Sequence, residues 1–130
     1  MMGVVIDTNI LVSALISPKG NPAKIIEMII TGKLKIFYSD EILGEYEEVL
    51  LRPKFNLNRD SLRRWLESVL GKGHNVNPIS STFGMLDESD RIFYDVAKSC
   101  GIYLVTGNIK HYPSESLILT PTQFLALFEG

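Results

Sequence analysis

Residues Val4-Val5-Ile6 place three branched apolar side chains in a row, and Asp7-Thr8-Asn9 follow directly. An uninterrupted run of this kind predicts a strand buried on both faces, as inside a parallel sheet. Asp7 then falls at the strand's carboxyl end, where open α/β sheets form their ligand crevices. A carboxylate in that position has to be solvated, paired or bound to a cation, because an unpaired buried charge is too costly to keep. The plain alternative is a turn residue, and the tripeptide alone does not separate the two. Thr8 and Asn9 are both competent caps for a following helix, whose apolar positions Ile10, Leu11, Ala14 and Leu15 have helical spacing.

The remaining chain alternates helix and strand signals. Asn21-Pro22 reads as a cap with proline at the first helical position, and that helix runs to Gly32. Lys35 to Tyr38 is a short strand. Ser39 caps the next helix, with Asp40 and Glu41 in its first turn and Ile42, Leu43, Tyr46, Val49 and Leu50 as its buried stripe. Asn58 opens a helix with Leu62, Trp65, Leu66, Val69 and Leu70 inward. Asn75 to Ile79 reads as an edge strand, because Pro78 bars a central place. After a loop from Ser80 to Leu86, Asp87 or Ser89 begins a helix with Ile92, Phe93, Val96, Ala97 and Cys100 inward. Ile102 to Thr106 is a buried strand, Leu117 to Leu119 another, and a last helix follows Pro121. Strands alternating with helices predict right-handed crossovers and a mostly parallel sheet covered on both sides.

Length and composition narrow the class. The 130 residues suit one domain, 1–130, large enough for a core without staples. No apolar run approaches the roughly 18 residues that a membrane span needs. The amino terminus lacks a basic lead into a signal-type apolar segment, and the single cysteine, Cys100, forms no internal disulfide; both fit a reducing cytoplasm. Net charge is −2, so bulk charge does not mark a nucleic-acid binder. The charges are segregated, however. Residues 40–48 carry five acids and no base, whereas Arg52, Lys54, Arg59, Arg63, Arg64 and Lys72 cluster downstream.

Two acids stand beside buried stripes. Glu45 lies three residues after Ile42 and four before Val49, and Asp90 has the same relation to Phe93 and Ala97. Asp87 falls one turn before Asp90 and, taken singly, reads first as an N-cap. Few cations are at hand to compensate these groups, since Arg91 points away from Asp90 on a helix. Together, Asp7, Glu45 and Asp90 at one sheet end make an oxygen-rich set suited to Mg2+ or Mn2+. His74 reads as a residue of a helix-ending loop and His111 as a loop histidine just past Asn108. Zinc spacing, a phosphate-cradling P-loop and a dinucleotide fingerprint are all missing.

The segments Asp7-Thr8-Asn9-Ile10-Leu11-Val12-Ser13-Ala14, Glu45, Asp87-Glu88-Ser89-Asp90-Arg91 and Val105-Thr106-Gly107-Asn108 together resemble the PIN-domain family, above all the PIN toxins of prokaryotic toxin–antitoxin pairs. The resemblance runs from Val4 to the last helix. It implies a three-layer α/β/α sandwich with a mostly parallel central sheet and Mg2+- or Mn2+-dependent cleavage of RNA. Asp7, Glu45 and Asp90 match the family's acidic positions. Asn108 departs from it, because many PIN nucleases carry an aspartate there; Asp87 is the candidate for the missing carboxylate. Thr8, Asn9, Thr106 and Asn108 then orient waters or ligating carboxylates, and Arg52, Lys54, Arg59, Arg63 and Arg64 attract the RNA backbone or simply form a solvated helix face. A toxin of this kind implies an antitoxin partner that blocks the acidic cleft, and commonly a homodimer. Two rivals stand beside this reading. One is a catalytically weak PIN-like scaffold that binds a protein or RNA. The other is a phosphatase of haloacid-dehalogenase type, which needs a second acid two residues beyond the first, where this chain has Asn9.

Overall fold

The computed structural model describes residues 2–81 and 88–129. Its first strand, β1 (Gly3–Ile6), takes the centre of a five-stranded parallel sheet ordered β3-β2-β1-β4-β5. The others are β2 (Lys35–Tyr38), β3 (His74–Asn75), β4 (Tyr103–Val105) and β5 (Ile118–Leu119). Val4, Val5 and Ile6 are wholly buried, as an apolar run with helices on both faces requires. The helices are α1 (Thr8–Ile16), α2 (Asn21–Ile30), α3 (Asp40–Leu50), α4 (Arg59–Leu70), α5 (Arg91–Cys100) and α6 (Pro121–Glu129), giving a three-layer α/β/α arrangement. Helix α2 packs on α1, α4 and α6, whereas α5 packs on β1, β2 and β4 and touches α3. Among the described residues, no helix is long and apolar enough to cross a membrane.

Local chemistry accounts for most boundaries. Ser39 Oγ accepts from the Ile42 N–H at 3.2 Å, and Asn58 Oδ1 accepts from the Ser61 N–H at 3.0 Å, so both expected caps are formed. Gly32 and Gly101 end α2 and α5 in the left-handed region, at φ +85° and +65°. Gly73 lets β3 approach β2: a Cβ there would stand 2.6 Å from the Ile36 carbonyl oxygen.

Four local expectations are corrected. Neither Thr8 nor Asn9 caps α1; Asp7 is the N-cap residue and makes no side-chain cap bond, because its carboxylate is engaged across the sheet. Asn21 lies inside α2, and its amide donates to Thr122 Oγ1 on α6 at 3.0 Å. The edge strand is His74–Asn75, earlier and shorter than Asn75 to Ile79, so His74 belongs to the sheet and packs its ring against Phe37. Helix α5 begins at Arg91, after a 3-10 turn over Glu88–Asp90.

Candidate active site

The strand order fixes where a site can form. From β1 the chain goes first to β2 on one side and later to β4 on the other, so the gap beyond the carboxyl ends of β1 and β4 is the sheet's topological switch point. Asp7 and Thr106 are the residues immediately after those two strands. The Asp7 N–H continues the ladder to the Val105 carbonyl at 3.0 Å. Thr106 Oγ1, fully buried, donates to Asp7 Oδ2 at 2.8 Å, and the Tyr112 hydroxyl donates to the same oxygen at 2.9 Å. Burial pushes the Asp7 carboxyl above its ordinary range. The Thr106 and Tyr112 hydroxyls, with the backbone N–H groups of Asn9 and Thr8, oppose that rise.

Helix α3 brings the second acid. Thr8 Oγ1, in the first turn of α1, donates to Glu45 Oε2 at 3.0 Å. One residue on, the Tyr46 hydroxyl donates to the carbonyl of Ile6, the last residue of β1. Tyr46 is fully buried, and burial together with the charges of Asp7 and Glu45 drives its phenol well above the usual value.

The third acid arrives from the turn before α5. Asp90 Oδ2 lies 3.4 Å from His111 Nδ1. His111 directly precedes Tyr112, so adjacent residues of one loop touch Asp90 and Asp7. The Tyr112 phenol is raised by burial first, then by the charges of Asp7 and Asp90. Asp7, Glu45 and Asp90 are thus linked around a single rim through Thr8, Tyr46, His111 and Tyr112. Their donors are all hard oxygens, which suit Mg2+ or Mn2+, and a cation would offset the desolvation of Asp7. Among the described residues, no three His, Cys, Asp or Glu side chains are already gathered closely enough to hold a metal ion. Asp87 lies outside the described residues.

The other candidates sort by contact. Asn9 Oδ1 accepts from the Gly107 N–H at 3.0 Å, and a Cβ on Gly107 would stand 3.2 Å from that oxygen. The Asn108 N–H donates to Thr106 Oγ1 at 3.0 Å, and Asn108 is exposed. Among the described residues, the contacts formed by Arg52, Lys54 and Arg64 are local and reach none of Asp7, Glu45 and Asp90. Arg52 pairs with Glu48, Lys54 stands over the Phe55 ring and Arg64 reaches Ser61. Arg59 and Arg63 border an apolar cavity of about 590 Å³ between α3 and α4, which none of Asp7, Glu45 and Asp90 lines.

Sequence reasoning missed one residue of this site, Tyr112, and one buried acid away from it, Asp95. Tyr112 was hidden because its partner lies 105 positions away. Its one available signal was its place next to His111, just past Asn108. Asp95, buried on α5, accepts from the Ser81 N–H at 3.1 Å; the crowding of four acids around Arg91 in residues 87–95 was its signal.

This sheet order, with an acid after the central strand, is the architecture of a PIN domain, and a family model described as "PIN domain" matches residues 3–110. The chain belongs to the PIN-domain family, whose members are generally nucleases. It is 33% identical over 108 residues to "Uncharacterized protein MJ1680" of Methanocaldococcus jannaschii, covering 81% of this chain and 70% of that protein. Its fold is similar to the crystal structure of VapBC2 from Rickettsia felis bound to a DNA fragment from their promoter, with TM-score 0.63 and 19% identity over 91% of this chain and 97% of that one.

Proposed function

We propose that this chain is a Mg2+- or Mn2+-dependent ribonuclease that hydrolyses phosphodiester bonds, the toxin of a toxin–antitoxin pair. The observation that carries the reading is that buried hydroxyls hold Asp7 and Glu45 at the sheet's switch point, with Asp90 beside them, 3.4 Å from the half-exposed His111 ring. A buried carboxylate held by two hydroxyls and still driven upward by desolvation is a group built to meet a cation. Membership of a family of nucleases agrees with this, and the fold shared with VapBC2 supports an antitoxin as partner.

Asp7, Glu45 and Asp90 would hold the ion, with Asp87 as a fourth candidate. A divalent ion bound there supplies charge neutralisation at the scissile phosphate and a water of lowered pKa. Thr106 and Tyr112 orient the Asp7 carboxylate and Thr8 orients Glu45 before an ion arrives, and the acids would close the remaining distance around it. Asn9 holds the Gly107 backbone against the start of α1, which sets where Asn108 projects. Asn108 then offers an amide instead of a carboxylate to the substrate side. The exposed Arg and Lys residues from Arg52 to Arg64 attract the RNA backbone at long range.

The test is cleavage of an unstructured RNA by the purified protein, with Mn2+ or with a chelator, beside Asp7→Asn and Asp90→Asn. Metal-dependent cleavage lost in both variants is expected. Cleavage that survives chelation or either substitution overturns the assignment. Wild-type protein that binds RNA and Mn2+-independent partners but never cuts selects the scaffold reading.

A further inference from the structure

The loop leaving β4 does more than connect it to β5. We infer that Tyr112 is a positioning residue for Asp7: its hydroxyl, with that of Thr106, holds one carboxylate oxygen and so sets the direction in which the carboxylate faces the ion. The inference rests on the metal-dependent reading above and adds a residue to it. Both hydroxyls donate to Oδ2, at 2.8 Å from Thr106 and 2.9 Å from Tyr112. Thr106 is itself fixed, because its Oγ1 accepts the Asn108 N–H at 3.0 Å while its proton goes to Asp7. Two donors saturate one carboxylate oxygen and fix the rotation of the carboxylate plane.

Tyr112 suits this part and no other. It is only 6% exposed, so its phenol reaches no substrate. Its single proton has Asp7 Oδ2 as acceptor, at 2.9 Å. The 3-10 turn Ile109–His111 delivers it, and His111 meets Asp90 in the same step. One short loop thereby sets the distance between the first and third acids, although they are far apart in sequence.

Tyr112→Phe deletes the hydroxyl and keeps the ring, and is read by Mn2+ calorimetry, RNA kinetics and thermal unfolding together. We expect the Mn2+ Kd to rise about tenfold, the Mn2+ needed for half-maximal cleavage to rise with it, and the KM for RNA to hold. A role in packing alone would lower the melting temperature and leave the Mn2+ Kd unchanged, which overturns the inference. As a second measurement, 3-fluorotyrosine at position 112 should show a 19F shift when Mg2+ is added, and none in Asp7→Asn; an unmoved signal in the parent overturns it too. Wild-type protein that neither binds Mn2+ nor cuts RNA removes the functional reading and this inference together. Wild-type activity with an indifferent Tyr112→Phe removes the inference alone.

Discussion

Thr8 on α1 donates its hydroxyl to Glu45 on α3 across 37 positions of sequence, at 3.0 Å. Thr8 is buried and Glu45 half-buried, so water does not readily replace this bond. A threonine beside a strand-terminal aspartate looks like a helix cap from sequence alone. In the fold it aims a carboxylate that belongs to another helix. Thr8→Val keeps the shape and removes the donor. Cleavage should fall about tenfold to a hundredfold through a misdirected Glu45, while unfolding free energy changes by about 1 kcal/mol. Kinetics at saturating Mn2+ and urea unfolding measure the two; an unchanged kcat removes Thr8 from the catalytic arrangement.

Asp7 makes the metal-free protein less stable than it need be. Its carboxyl is raised in the folded state chiefly by burial, so folding takes up a proton as pH falls toward the ordinary carboxylate range. The favourable contribution is complete below the unfolded value of 3.8 and is lost as pH rises through the raised folded value. At neutral pH the buried charge is therefore a net burden. Asp7→Asn, which retains an oxygen for Thr106 and Tyr112, should be the more stable protein in chelator at pH 7. That advantage should shrink as pH is lowered toward 4, the range of ordinary carboxylates. Paired urea titrations at several pH values decide it. Adding Mn2+ should reverse the order by stabilising the wild type alone.

Legibility in the sequence followed the range of the forces involved. The caps at Ser39 and Asn58 are local patterns and formed as expected, and so did the centre of the α3 stripe, where Ile42, Tyr46 and Leu50 are buried while Leu43 and Val49 are only partly covered. The strand before Asp7 could be read because three branched residues leave it no exposed face. Tyr112, by contrast, bonds to a residue 105 positions away, and no periodicity encodes such a contact. Asp95 was missed for a related reason. Helical spacing marks the inward face of α5, but only the approach of Ser81 explains why a carboxylate can occupy it. His74 was read as helix-ending loop because its pairing with Phe37 depends on Gly73, whose missing Cβ lets two backbones meet.

Asn108 gives a gain-of-function prediction. It is exposed at the end of β4, and its backbone is tied to Thr106, which holds Asp7. An amide there adds no charge to the acidic rim. Asn108→Asp should tighten Mn2+ binding, because ligand charge count sets affinity for hard cations. The expected change is a lower Kd by calorimetry and a lower Mn2+ requirement for cleavage, with the fold unaltered. A weaker Kd would mean that like-charge repulsion among the acids outweighs the new ligand, and that the amide is the better residue for this rim.

Away from the rim, Glu115 ties the segment before β5 to α5 and supplies a separate pH signature. Its carboxylate accepts from Lys98 Nζ at 2.5 Å and from the Tyr94 hydroxyl at 2.6 Å. The Lys98 bond, then the Tyr94 bond, lowers the Glu115 pKa, while burial and the Glu115 bond raise the Tyr94 phenol to about 12. A depressed carboxyl stabilises the fold above its unfolded value of 4.5 and loses that contribution as pH falls through the folded value. Lys98 is largely solvated, so screening holds the gain to under about 1 kcal/mol. Glu115→Gln should therefore lower stability slightly at pH 7 and lose its penalty below pH 4.5, the reverse of the trend for Asp7→Asn. Because Glu115 stands outside the set of acids that would hold metal, the variant should cleave RNA with unchanged kcat and Mn2+ requirement. Loss of cleavage would mean that the lie of the loop from β4 to β5, which carries Tyr112, depends on its anchor at Tyr94 and Lys98.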